Sequence, residues 1–158
     1  MRHVVAALVI AVIALMPPMV SAREPTAFGG AEGRIVYVDL SMDDATVLAS
    51  MAKDGTDPRQ LTTSVQSPHG DYDSSWSPGG KFLVFTRYDA GFEGEVWRMN
   101  ADGSDQKRLT NNGVDDGYPS WSADGSRIVF ASDRTGNYEI YTMDLDGGSL
   151  KRLTNNAG

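Results

Sequence analysis

The side chains best equipped for chemistry in this sequence are carboxylates beside tyrosines, and they occur twice. Asp71-Tyr72-Asp73 returns 45 positions later as Asp116-Gly117-Tyr118, with Asp115 immediately ahead of it. Oxygens clustered in this way suit either a hard cation or a basic, amide-rich peptide. The cation reading is poorly supported by spacing. Asp144-Leu145-Asp146-Gly147 resembles a piece of a calcium loop but lacks the third ligand before its glycine and the closing glutamate. Asp144 and Asp146 also align with the turn Asn100-Ala101-Asp102-Gly103, which favours turn geometry over metal ligation. We therefore expect no metal and no cofactor. Asp71, Tyr72, Asp73, Asp115, Asp116 and Tyr118 are the candidate partner-binding rim.

Nucleophilic catalysis is disfavoured by inventory. Beyond the first three residues the one histidine is His69, there is no cysteine, and no Gly-x-Ser-x-Gly elbow is present. A histidine without an oriented nucleophile reads as a solvated loop residue in Ser67-Pro68-His69-Gly70. The expectation is a protein that is not an enzyme.

What positions the rim is a repeat. Trp76-Ser77-Pro78-Gly79-Gly80 and Leu83-Val84-Phe85 recur at an offset of 45 as Trp121-Ser122-Ala123-Asp124-Gly125 and Ile128-Val129-Phe130. Val96 to Gly103 recurs at an offset of 44 as Ile140 to Gly147, so a loop of variable length lies between Arg87 and Glu95. Each unit closes on one phrase: Lys107-Arg108-Leu109-Thr110, Lys151-Arg152-Leu153-Thr154 and, more distantly, Arg59-Gln60-Leu61-Thr62. Periods of this length belong to stacked supersecondary units.

Within the last unit, Pro119–Ser122, Arg127–Ser132, Glu139–Asp144 and Ser149–Thr154 are extended runs separated by Asp-Gly turns. The second run is apolar at consecutive positions, which requires cover on both faces. The fourth is basic, as suits an outer edge. The expected fold is all-β: four-stranded antiparallel meanders forming β-propeller blades, at about 34–66, 67–112 and 113–158, with the first lacking its first strand. That makes an incomplete propeller of about two and three-quarter blades. Phe85, Phe130, Trp76 and Trp121 are the candidate inter-blade core.

The run Tyr118-Pro119-Ser120-Trp121-Ser122-Ala123-Asp124-Gly125-Ser126-Arg127-Ile128-Val129-Phe130-Ala131-Ser132-Asp133-Arg134, followed by Glu139 to Asp144 and Arg152-Leu153-Thr154, closely resembles the WD40-like PD40 repeat of TolB-like propellers. The resemblance implies a blade of a six-bladed propeller, a periplasmic setting and protein contacts of the Tol–Pal kind. The resemblance also implies an α/β domain ahead of the propeller, and we expect none between residue 22 and the first strand of this sequence. The same repeat also occurs in exported peptidases and sugar-acid lyases, so a fragment or subunit of such an enzyme is the alternative.

Residues 1–22 read as a cleaved export signal: a positive start, thirteen apolar residues from Val4 to Met16, then Val20-Ser21-Ala22. The apolar run is short of the roughly 20 residues that span a membrane. Residues 23–33 would be a linker, and the protein periplasmic or secreted. Without the signal the 14 basic residues lose Arg2 and the 21 acidic ones lose none, so the formal charge moves from −7 to −8. That balance disfavours nucleic acid. An incomplete ring leaves blade faces uncovered, so either homo-oligomerisation completes it or the sequence is a fragment that folds poorly; a protein partner in the envelope is expected beside this.

Overall fold

The computed structural model describes residues 33–40, 46–63 and 69–156. The proposed export signal and most of the linker lie outside these residues. Among the described residues, eleven strands form three antiparallel meanders. The first contains β1 (Ile35–Asp39), β2 (Val47–Met51) and β3 (Arg59–Gln60). The second contains β4 (Asp71–Trp76), β5 (Phe82–Tyr88), β6 (Gly94–Asn100) and β7 (Lys107–Arg108). The third repeats it with β8 (Asp116–Trp121), β9 (Ile128–Ser132), β10 (Glu139–Met143) and β11 (Lys151–Arg152). The chain is all-β, in blades of a propeller.

The blades stack through two apolar layers. Leu83, Phe85 and Met99 of the second blade pack on Leu48 and Leu61 of the first, with Trp76 and Trp97 at the margin. On its other face, Val84 and Val96 pack on Ile128, Phe130, Tyr141 and Met143 of the third, with Leu109 and Trp121 alongside. Phe85 and Phe130 are fully buried. This explains the unbroken apolar run in β5: Leu83 to Arg87 are buried at five consecutive positions because both faces are covered. In β9 the burial alternates instead, leaving one face of the third blade open.

The hairpin turns join blades as well as strands. Gly103 and Gly147 occupy equivalent turns at φ 86° and 89°. A Cβ on either would lie 2.6 Å from a carbonyl oxygen of the preceding blade, that of Leu61 or Leu109. Leu61 and Leu109 thus each meet the next blade twice, by side chain and by backbone.

The first strands start earlier than the extended run Pro119–Ser122 suggests. β8 begins at Asp116, and the reason is a bulge. The register of β8 on β9 shifts between Gly117 and Ser120, and that of β4 on β5 between Tyr72 and Ser75. One extra residue breaks the alternation that a strand pattern depends on.

Candidate binding cleft at the first-strand bulges

The bulge residues are Asp73 and Tyr118, equivalent in the repeat and both left-handed, at φ 52° and 55°. Asp tolerates this conformation, whereas a bulky Tyr in it is an outlier that costs on the order of 1–3 kcal/mol. One buried side chain joins the two. The Thr86 hydroxyl donates to the Asp73 carboxylate, and its oxygen accepts the Tyr118 N–H at 3.2 Å. Phe92, in the β5–β6 loop, is a third left-handed side chain at φ 64°, held by its N–H to the Asp89 carbonyl at 3.1 Å.

These three residues converge on one open cleft of about 490 Å³, lined also by Thr46, His69, Tyr72 and Tyr88. His69 stacks on Phe92 with ring centres 3.6 Å apart. Tyr72 meets Tyr88 edge to face at 5.7 Å and shares a 2.7 Å hydrogen bond with the Thr46 hydroxyl. Beside the cleft, Asp115 accepts the Gly94 N–H at 2.8 Å and the Tyr138 hydroxyl. Position 94 has no room for a side chain, since a Cβ would lie 2.5 Å from Asp115.

The electrostatics are those of crowded negative charge. Burial raises the Asp73 carboxyl above its usual range, the Thr86 hydroxyl opposes this, and Asp115 adds to it. Burial also pushes Tyr88 up to about 12, with Asp115 and Asp73 contributing. The Tyr138 hydroxyl is held protonated by its hydrogen bond to Asp115 and by burial.

Two of the proposed rim residues do not reach the surface. Asp71 and Asp116 are fully buried, each neutralised by an arginine. Arg87 meets Asp71 through Nε at 2.7 Å and Nη2 at 2.8 Å. Nη2 of Arg134 meets both Asp116 oxygens at 3.0 and 2.9 Å. They brace the strands and are not a contact surface. Tyr72, Asp73 and Tyr118 lie on the strands rather than in crossover loops, and only Asp115 precedes its strand.

The other sequence candidates fall as follows. Trp76 and Trp121 are partly buried at the blade interfaces, and Trp121 donates its Nε1–H to the Ser75 carbonyl of the neighbouring blade at 3.1 Å. His69 is a cleft residue and not simply a solvated loop histidine. Asp144 accepts the N–H groups of Asp146 at 3.0 Å and Gly148 at 2.7 Å, as a turn residue does. Sequence reasoning missed Tyr88, Phe92 and Tyr138. The one available signal was an apolar aromatic in a loop of variable length, Gly91-Phe92.

The sequence matches the family model PD40, described as the TolB beta propeller domain, over residues 27–158. The chain belongs to this family. Among solved structures, a TolB-type protein of Agrobacterium tumefaciens superposes with a TM-score of 0.68 at 24% identity, covering 85% of this chain and 50% of that one. TolB from Acinetobacter baumannii superposes with a TM-score of 0.64 at 29% identity, covering 77% of this chain and 29% of that one. An uncharacterised protein of Agrobacterium fabrum is 36% identical over 57 residues, 36% of this chain and 19% of its own length. The chain thus spans half or less of the length of these relatives. The fold is shared with enzymes too, among them a puromycin hydrolase at 19% identity and a TM-score of 0.61, over 78% of this chain and 21% of that one.

Proposed function

We propose that this chain is a non-enzymatic protein-interaction propeller of the bacterial periplasm or envelope, and that Tyr72, Asp73, Asp115 and Tyr118, joined by Phe92, form its contact surface. The observation that supports this most is the convergence of three left-handed, non-glycine residues on one aromatic cleft, two of them, Tyr118 and Phe92, bulky side chains strained in that conformation, because such strain persists where a binding geometry is held in place. Membership of the TolB propeller family supports the same reading. The exposure is suited to contact: Phe92 is 70% exposed and Tyr118 62%. Bulges next to binding sites characteristically re-aim side chains in this way.

The test is site-specific photo-crosslinking in envelope preparations. A crosslinker at position 118 is expected to give one discrete protein adduct, and one at Leu150, in a distant turn, none. Equal labelling from both positions would overturn the assignment.

A second feature supports self-association. Leu61 and Leu109 pack against the next blade, whereas the equivalent Leu153 is 51% exposed and Ile140, on the open face of the third blade, 38%. That face suits another blade, and a second copy can supply one. Light scattering is expected to show a mass above that of a monomer, reduced to the monomer by Ile140→Asp.

A further inference from the structure

Four buried carboxylates in this protein each carry their own arginine: Asp71 with Arg87, Glu95 with Arg108, Asp116 with Arg134 and Glu139 with Arg152. Two of the arginines also lie over pairs of aromatic rings. Arg87 sits 5.1 Å from the centre of Phe85 and 4.7 Å from Trp97. Arg134 sits 5.4 Å from Phe130 and 4.7 Å from Tyr141. Aspartate, two ring faces and a guanidinium are thus assembled once in the second blade and once in the third.

The cleft has the same parts with the cation left out. Asp73 and Asp115 form no ion pair with any Lys or Arg among the described residues. Burial and then Asp115 raise the Asp73 carboxyl, and burial with Asp115 and Asp73 favours the neutral form of Tyr88. The rings of Tyr72, Tyr88 and Tyr118 line the cleft with Asp73, as does Phe92, which His69 covers on one face, and Asp115 lies beside it, accepting from Gly94 and Tyr138. Unpaired negative charge walled by aromatic faces attracts a cation through both Coulomb and ring-quadrupole terms. A planar guanidinium satisfies such a site better than an ammonium, since it can stack on a ring while donating to a carboxylate.

We infer that the cleft between Asp73, Tyr118 and Phe92 receives the guanidinium of an arginine side chain from a protein partner, completing a third Asp–aromatic–Arg assembly in which the partner supplies the cation. This rests on the reading of the cleft as a protein-contact site and names the chemistry the partner must bring.

The experiment uses isotopically labelled protein titrated with N-acetylargininamide, its neutral isostere N-acetylcitrullinamide and N-acetyllysinamide, with amide shifts followed at Gly94, Phe92 and Tyr118. Argininamide should shift these amides with an affinity at least about fivefold above that of citrullinamide. Asp73→Asn and Tyr118→Asn both retain residues that tolerate positive φ, and each should abolish most of that difference. Equal response to citrullinamide, or no response confined to the cleft, overturns the inference. So does an equal or stronger response to lysinamide, since it removes the guanidinium preference. If argininamide binds nowhere while the crosslink at position 118 still forms, the contact surface stands and this inference falls; if argininamide binds and no crosslink forms, the contact surface and the partner's arginine both fall, and what is left is a cleft that binds guanidinium.

Discussion

Val47 stands in the first blade where Glu95 stands in the second, and the exchange is matched across the sheet by Gln60 in place of Arg108. The equivalence is set by the hydrogen bonds of the following residue: the Leu48 N–H goes to the Thr62 hydroxyl and the Val96 N–H to that of Thr110, both at 2.9 Å. Gln60 and Arg108 each donate to the carbonyl two residues on, at 2.7 Å. Where the carboxylate is present it takes Arg108 at 2.6 Å and the Thr110 hydroxyl. Charge has been removed from the first blade as a pair, which avoids leaving either member buried alone.

The pair should therefore be exchangeable in the second blade as a unit. Glu95→Val alone leaves Arg108 without its carboxylate and is expected to cost about 2–3 kcal/mol, below the range for fully buried pairs because Arg108 is partly exposed. Glu95→Val with Arg108→Gln should recover about half of that loss. Denaturant unfolding of the two single variants and the double variant measures it; strict additivity would show that the two positions are uncoupled.

Glu139 makes the third blade acid-sensitive. The Thr154 hydroxyl, the Asn156 N–H, Arg152 and Asn137 hold its carboxyl down to about 2 against the opposing effect of burial. A carboxylate depressed in the folded state stabilises fully above its unfolded value of roughly 4.3 and progressively less as pH falls toward the folded value. Thermal stability should decline from about pH 4 toward pH 2, and Glu139→Gln should flatten that limb while lowering stability at pH 7. A Gln variant with an unchanged acid limb would assign the sensitivity to other groups.

Gly55, Gly103 and Gly147 permit a separation of backbone strain from blade contact. Their φ values are 84°, 86° and 89°, so an alanine at any of them meets a similar conformational penalty. A Cβ at Gly55 meets nothing within 4 Å, whereas at Gly103 and Gly147 it meets a carbonyl oxygen of the preceding blade. Gly103→Ala and Gly147→Ala should each destabilise by at least about 1 kcal/mol more than Gly55→Ala. Three equal losses would mean that the turns do not join the blades.

Thr86 touches both bulge residues, and Thr86→Val removes its hydroxyl without changing shape. The loss of one bond to a carboxylate and one from a backbone N–H should cost about 2 kcal/mol, with Thr86→Ser retaining most of it. Hydrogen exchange at Tyr118 should quicken in the valine variant alone.

Much of the fold was legible because the repeat carries its own control. Two aligned copies expose the turns, the apolar second strand and the outer basic strand without reference to any other protein. The cleft was legible only in part. Asp71 and Asp116 share the pattern of surface groups, and their burial depends on Arg87 and Arg134, which lie 47 positions apart instead of 45. Serine stands at the position equivalent to Arg87, and the arginine arrives two residues later on the same face, a substitution in space that no alignment by offset displays. Phe92 reaches the cleft from a loop whose length differs between copies, and Tyr88 from the end of β5 where that loop begins, so the internal comparison fails for both.

The bulge has a further consequence for how such a surface can vary. Asp71 and Trp76 are five residues apart, an odd number, yet both lie opposite residues of one face of β5, Arg87 and Leu83. The extra residue absorbs the change of phase, so Asp73 and Tyr118 stand outside the alternation that places the ion pairs and the core. If the cleft is the contact surface proposed above, mutation at these two positions would change what it accepts, one blade at a time, while the buried arginines and the layers between blades keep their partners.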